Sequence, residues 1–124
     1  MDASAILAIL LNEAESELFA GKIAASEISW ISAVNWWEVH ARVMPNRGAR
    51  GVKEAAAWIR EAGIVIEPVT HAHAEIAVHA LQRYGGRPAR LNMGDCFAYA
   101  LAKDKDIPLL YKGGDFAHTD VKAA

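Results

Sequence analysis

Three short β-rich runs, Glu27–Ser32 (EISWIS), Ile64–Val69 (IVIEPV) and Pro108–Lys112 (PLLYK), are separated by long stretches of helical pattern. That alternation constrains the fold more than any other feature. Antiparallel strands can be joined by tight hairpins, whereas a parallel pair needs a crossover of about a dozen residues or more, usually a helix. The chain is therefore predicted to form a parallel sheet with helices on both faces, an α/β fold of three α/β/α layers. Three strands are few for such a sheet.

The intervening segments read as helices from their caps and apolar spacing. Ser4–Leu11 is a buried helix with Asp2 or Ser4 available to cap it, and Glu13–Ser26 continues helical with Leu18, Phe19 and Ile23 lining one face. Ser32 caps a helix over about 33–44 that Pro45 helps to end, with Trp37, Ala41 and Met44 on one stripe. A further helix over 52–62 ends where Gly63 offers a left-handed cap. Thr70 caps a helix through about Tyr84, Gly85–Pro88 form a loop, and Asn92 opens a helix to about Lys105. Pro108–Lys112 is expected to be the last buried strand.

Composition narrows the class. Hydrophobic residues make up 53% of the 124, too many for a disordered chain, and no linker or repeat interrupts them, so residues 1–124 are expected to form one domain. The longest apolar run, Ala3–Leu11, falls short of the roughly 20 residues that span a bilayer, and no secretory signal is visible. A lone cysteine, Cys96, forms no internal disulfide and suits a reducing compartment, so a cytoplasmic location without membrane attachment is expected.

The net charge of −2 argues against a generic basic nucleic-acid binder. Its distribution is uneven. Residues 1–40 hold six acids against Lys22, residues 41–60 hold five bases against Glu54, and Arg83, Arg87 and Arg90 follow one another without an intervening acid. Such runs are usually solvated faces. They also suit a basic rim around an acidic pocket that holds a polyanion over metal ions.

Four acids fall where a sheet of this kind collects its ligands, along the edge formed by the carboxyl ends of the strands and the starts of the crossover helices. They are Asp2 before the first helix, Glu38 in the helix after Glu27–Ser32, Asp95 in the first turn of its helix, and Asp115 after Pro108–Lys112. Each has an ordinary explanation alone. Asp2 can be an N-cap, Glu38 can pair with Arg42, Asp95 can form a capping box with Asn92, and Asp115 can be a turn residue. Together, four carboxylates at one edge ask for protonation or cations, and an all-oxygen donor set favours Mg²⁺ or Mn²⁺.

Asp2-Ala3-Ser4-Ala5, Asn35-Trp36-Trp37-Glu38, the run Leu91-Asn92-Met93-Gly94-Asp95-Cys96-Phe97-Ala98-Tyr99-Ala100, and the run Lys112-Gly113-Gly114-Asp115-Phe116-Ala117-His118-Thr119-Asp120 resemble the PIN domain. More narrowly, they resemble VapC-type ribonuclease toxins of bacterial toxin–antitoxin pairs. The resemblance implies an α/β/α sandwich that cleaves RNA phosphodiesters with divalent metal. It also implies a homodimer and a cognate antitoxin whose tail enters the active-site groove. By motif position Asp2, Glu38, Asp95 and Asp115 form the catalytic, metal-binding set, Asp2 and Asp95 being the strongest candidates for direct ligation. Ser4, Asn35 and Thr119 match the polar positions beside it. Arg87, Arg90 and Lys112 are candidates for contacts to substrate phosphates.

Two departures stand out. The family carries a hydrophobic strand directly before its first acid, central in the sheet, and here only Met1 precedes Asp2. The first strand is thus expected to be missing or truncated, and one reading has translation starting upstream with Met1 inside that strand. Gly114 also stands where many relatives carry Asp or Asn.

His71, His73 and His79 suggest zinc, but no cysteine accompanies them and structural zinc takes four N/S ligands. Cys96 reads as a small core residue rather than a nucleophile. Of Trp30, Trp36, Trp37 and Trp58, most are expected in the core or an interface, with Trp36 the least certain. The first reading is a Mg²⁺-dependent endoribonuclease toxin. The alternatives are a catalytically silent PIN-fold binding module and a PIN nuclease of RNA processing that has no antitoxin.

Overall fold

The structure, a computed structural model, describes residues 1–124. Its sheet is built from β1 (Ser29–Ser32) and β2 (Ile64–Glu67), paired in parallel with Ser29 opposite Ile64 and Ser32 opposite Glu67. Both strands start and end within two residues of expectation. Their β-branched residues suit a pleated, half-buried surface, and the connection between them is too long for a hairpin.

α1 (Ala3–Leu10) is buried nearly all round, through Ala3, Ala5, Ile6, Leu7 and Ala8. Asn12, in the left-handed region at φ 51°, separates it from α2 (Ser16–Ala25). α2 buries Phe19 and Ile23. Leu18 departs from the expected face and is exposed. It lies one residue, about 100°, around the helix from Phe19, so both cannot point inward.

α3 (Ala33–Glu61) corrects the expected stop at Pro45: helical structure continues through the proline, and the break comes at Gly48, with φ 61° and ψ −160°. Proline removes one donor and crowds the preceding turn. Gly48 adopts a conformation that no helical residue has. The inward face of α3 is Asn35, Val39, His40 and Val43, then Gly51, Ala55 and Ile59. The stripe of Trp37 and Met44 faces solvent, and Trp36 packs against the core with its ring 4.0 Å from that of His40. Gly63 (φ 70°) follows the helix as a left-handed cap, its N–H donating to Arg60 O.

α4 (His71–Tyr84) opens on a capping box of Thr70 and His73, and α5 (Met93–Lys105) on one of Asn92 and Asp95. A 3-10 turn, Asp115–His118, follows the last extended segment.

Apolar side chains gather on two sides of the sheet. One core joins α1, α2, α3, β1 and β2 through Ile6, Ile31, Val39, Ile59 and Ile64. The other joins α4 and α5 through Ala77, Ala80, Cys96 and Tyr99. The fold is α/β/α with a small parallel sheet. Cys96 is buried there as a free thiol, and burial, then Asp95, push its pKa up.

The third expected strand is corrected. Pro108–Lys112 makes a single parallel bridge, Leu109 to Ala123, and joins no sheet. Its side chains still alternate as in a strand, since Leu109 belongs to the second core and Leu110 to the first. What it lacks is a strand on the side facing β1. Between it and β1 stand only Met1, whose ammonium donates to Trp30 O (2.6 Å), and Asp2, whose N–H donates to Leu110 O (2.9 Å). Beside them lies a cavity of about 420 Å³ lined by Met1, Ile23, Ile28, Trp30, Pro108 and Leu110 among others. No helix is long and apolar enough to cross a membrane.

Candidate active site

Asp2 is buried and caps α1: its Oδ2 accepts from the Ser4 N–H (3.2 Å) and the Ser4 hydroxyl (2.7 Å). The same hydroxyl accepts from the Lys112 N–H at 2.9 Å. Ser4 thereby ties the start of α1 to the segment that leads to Asp115. Glu38, half-buried on α3, forms no ion pair with Arg42. Its Oε2 instead accepts from Asn35 Nδ2 (3.2 Å), and that amide also donates to Gly94 O (2.9 Å) in the first turn of α5. Asn35 is wholly buried and its Oδ1 has no partner.

Asp95 and Asn92 cap each other reciprocally: Asn92 N–H donates to Asp95 Oδ2 (3.0 Å) and Asp95 N–H to Asn92 Oδ1 (2.9 Å). Asp115 is exposed on the 3-10 turn. Asp2, Glu38 and Asp95 are thus each held through one oxygen and leave the other without a hydrogen bond.

Asp95 and Glu38 feel the charges around them. Burial pushes Asp95 up from 3.8 to about 6; the Asn92 N–H opposes this, while Asp2, Glu38 and Asp115 add to it. Glu38 is also raised, by burial first, with Asn35 opposing and the Asp2 charge adding. A carboxylate raised by its neighbours' charge is one that a cation would stabilise. The donor set is all oxygen, with a buried amide oxygen unmatched beside it, and so suits a hard divalent ion. No three of the chain's His, Cys, Asp or Glu side chains stand close enough together to hold an ion as placed.

The remaining predicted residues separate into two groups. Arg87 and Arg90 are exposed and free of ion pairs, in the loop between α4 and the Asn92 cap. The Lys112 ammonium turns to Glu13 and to Glu15 (3.1 Å for the latter), which raise its pKa. Thr119 closes the 3-10 turn, its hydroxyl donating to Phe116 O (2.7 Å) and accepting from Val121 N–H (3.3 Å). His73 accepts from the Thr70 N–H at Nδ1, so its Nε2 carries the proton and donates to Asp104 (2.9 Å). The sequence reading missed Glu13 and Glu15 as partners of Lys112. It also missed Gly94, although a glycine in a helix's first turn is itself a signal.

An α/β/α fold whose acids come from two helix starts, one crossover helix and one terminal turn defines a class. The model of the PIN domain matches residues 1–122, and the chain belongs to that family. Within it, the chain is closely related to several mycobacterial VapC ribonucleases. It is 39% identical to VapC ribonuclease Mb0625 of Mycobacterium bovis and to Ribonuclease VapC28 of Mycobacterium tuberculosis, covering 100% of this chain and 96% of each of those proteins. It is also 39% identical to Ribonuclease VapC of Mycolicibacterium smegmatis, covering 99% of this chain and 97% of that one. The fold is close to that of Mycobacterium tuberculosis VapC20, a sarcin–ricin-loop-cleaving toxin, with a TM-score of 0.81 over 99% of this chain and 95% of that one at 21% identity.

Proposed function

We propose that the chain is a divalent-metal-dependent endoribonuclease, the toxin of a toxin–antitoxin pair, acting as a homodimer. The observation that carries this reading is how the elements bearing the acids are tied together: Asn35 joins Glu38 to Gly94 beside Asp95, and Ser4 joins Asp2 to Lys112 ahead of Asp115, with the charges of Asp2, Glu38 and Asp115 adding to the rise in the pKa of Asp95. Kinship over the whole chain with proteins named ribonuclease VapC supports it.

Asp2, Glu38, Asp95 and Asp115 would hold Mg²⁺ or Mn²⁺, which when bound supplies Lewis acidity to a phosphate oxygen and lowers the pKa of water. The chain's own part is preparation. Ser4 fixes Asp2, Asn35 fixes Glu38, and Asn92 fixes Asp95, so three free oxygens are presented on side chains already oriented. Arg87 and Arg90 offer unpaired charge to the phosphates of an RNA strand. Lys112, paired with Glu13 and Glu15, instead anchors the segment before Asp115.

Purified protein incubated with RNA and Mg²⁺ tests the reading beside Asp95→Asn. The variant keeps the cap and loses the charge, and cleavage is expected to fall about a hundredfold or more, above the range for residues that merely support a ligand. Undiminished cleavage by Asp95→Asn would remove the site. A second reading, a silent binding module, is favoured by one observation: no three of these side chains stand together as an ion site. Absence of any cleavage by the wild type, with Mn²⁺ as well as Mg²⁺, selects it.

A further inference from the structure

Gly94 stands at the second position of α5, two residues after the Asn92 cap. Glycine is the poorest helix former after proline, and no positive φ at Gly94 requires it. The reason lies across the interface with α3. A methyl group placed on Gly94 would fall 2.6 Å from Glu38 Oε2 and 2.7 Å from Oε1. Even a favourable C–H···O contact keeps carbon and oxygen about 3.3–3.6 Å apart. The Glu38 carboxylate therefore fills the volume that any side chain at this position would take. Asn35 joins the two, since one Nδ2 donates both to Glu38 Oε2 and to Gly94 O.

We propose that Gly94 is a positioning residue: its missing side chain lets Glu38 lay its carboxylate against the first turn of α5, beside Asp95, and it acts on the site only through Glu38. The consequence for metal rests on the nuclease reading above; the seating of Glu38 does not. Among the other helical glycines, Gly21 of α2 has no atom within 4 Å of an added Cβ and serves as the control.

The test compares the wild type, Gly94→Ala, Glu38→Ala and the double variant, with Gly21→Ala as control. Mn²⁺ affinity is followed by the EPR signal of the free ion, and the Asn35 side-chain amide by ¹H–¹⁵N spectra of metal-free protein. Gly94→Ala is expected to weaken Mn²⁺ binding about tenfold or more. In the Glu38→Ala background the same substitution costs nothing further, because the carboxylate it displaces is already gone. The Asn35 resonances move in Gly94→Ala as they do in Glu38→Ala, and no further in the double variant; Gly21→Ala changes neither readout. An equal loss in both backgrounds, or Asn35 resonances that keep their wild-type position in Gly94→Ala, overturns the proposal. If the wild type binds no Mn²⁺, the nuclease reading falls and the amide spectra still decide on Gly94.

Discussion

Asp95 caps α5 and still has an oxygen to spare. The capping box with Asn92 and the place among the acids are compatible, because the cap uses Oδ2 and leaves Oδ1. Sequence spacing gives both readings, and the cap is the one the hydrogen bonds bear out. The rotamer of Glu38 was not legible: Arg42 at i,i+4 and Asn35 at i−3 are both local, and what favours Asn35 is the turn at Gly94, which comes from α5 docking beside α3. The partners of Lys112, Glu13 and Glu15, were likewise not legible, lying about a hundred residues away in sequence. A prediction follows from the raised pKa of Asp95. Between about pH 4 and pH 6 the folded protein retains a proton that the unfolded chain has released, so this group's contribution to stability is lost as pH rises through that window. Asp95→Asn keeps the cap and abolishes the titration. Thermal melts in EDTA should show the variant more stable than wild type at pH 7, with the gap closing towards pH 4. A gap independent of pH would mean that Asp95 titrates normally.

At the scale of elements, the six helical stretches read from the sequence fall on the five helices, four of which start on a side-chain cap, while α2 starts without one and rests on its apolar spacing. The boundary they misplaced is inside α3. Pro45 carried the expectation because proline usually ends a helix, but a helix survives one missing donor when its inward face stays packed, as Val43 and Ala55 keep it on either side. Gly48 is where the chain departs from helical geometry, in a region of φ and ψ essentially confined to glycine. Gly48→Ala is accordingly expected to lower stability by about 1–3 kcal/mol, although an added Cβ would meet nothing within 4 Å. Gly21→Ala, in ordinary helical backbone with equal space, should instead be neutral or stabilise by up to about 1 kcal/mol. Urea denaturation of the two variants separates the effects. Equal midpoints would show that the break at Gly48 carries no conformational cost.

For the molecule as a whole, the alternation of strands and helices was enough to predict layers and parallel pairing, but not how many strands find partners. Leu109 and Leu110 bury to opposite sides, as a strand between two helix layers must, yet only Met1 and Asp2 bridge the distance to β1. Beside them lies an apolar cavity of about 420 Å³. Residues placed ahead of Met1 test whether that space takes a strand. An extension of four or five apolar, β-branched residues should melt higher than a Gly-Ser extension of the same length. Each apolar side chain it buries contributes about 1.5–3 kcal/mol against about 1–2 kcal/mol for ordering a residue, and its backbone meets the open edge of β1. If the apolar and Gly-Ser extensions melt alike, the space between β1 and Leu110 does not take a strand, and the two-stranded sheet is as wide as this fold's interior allows.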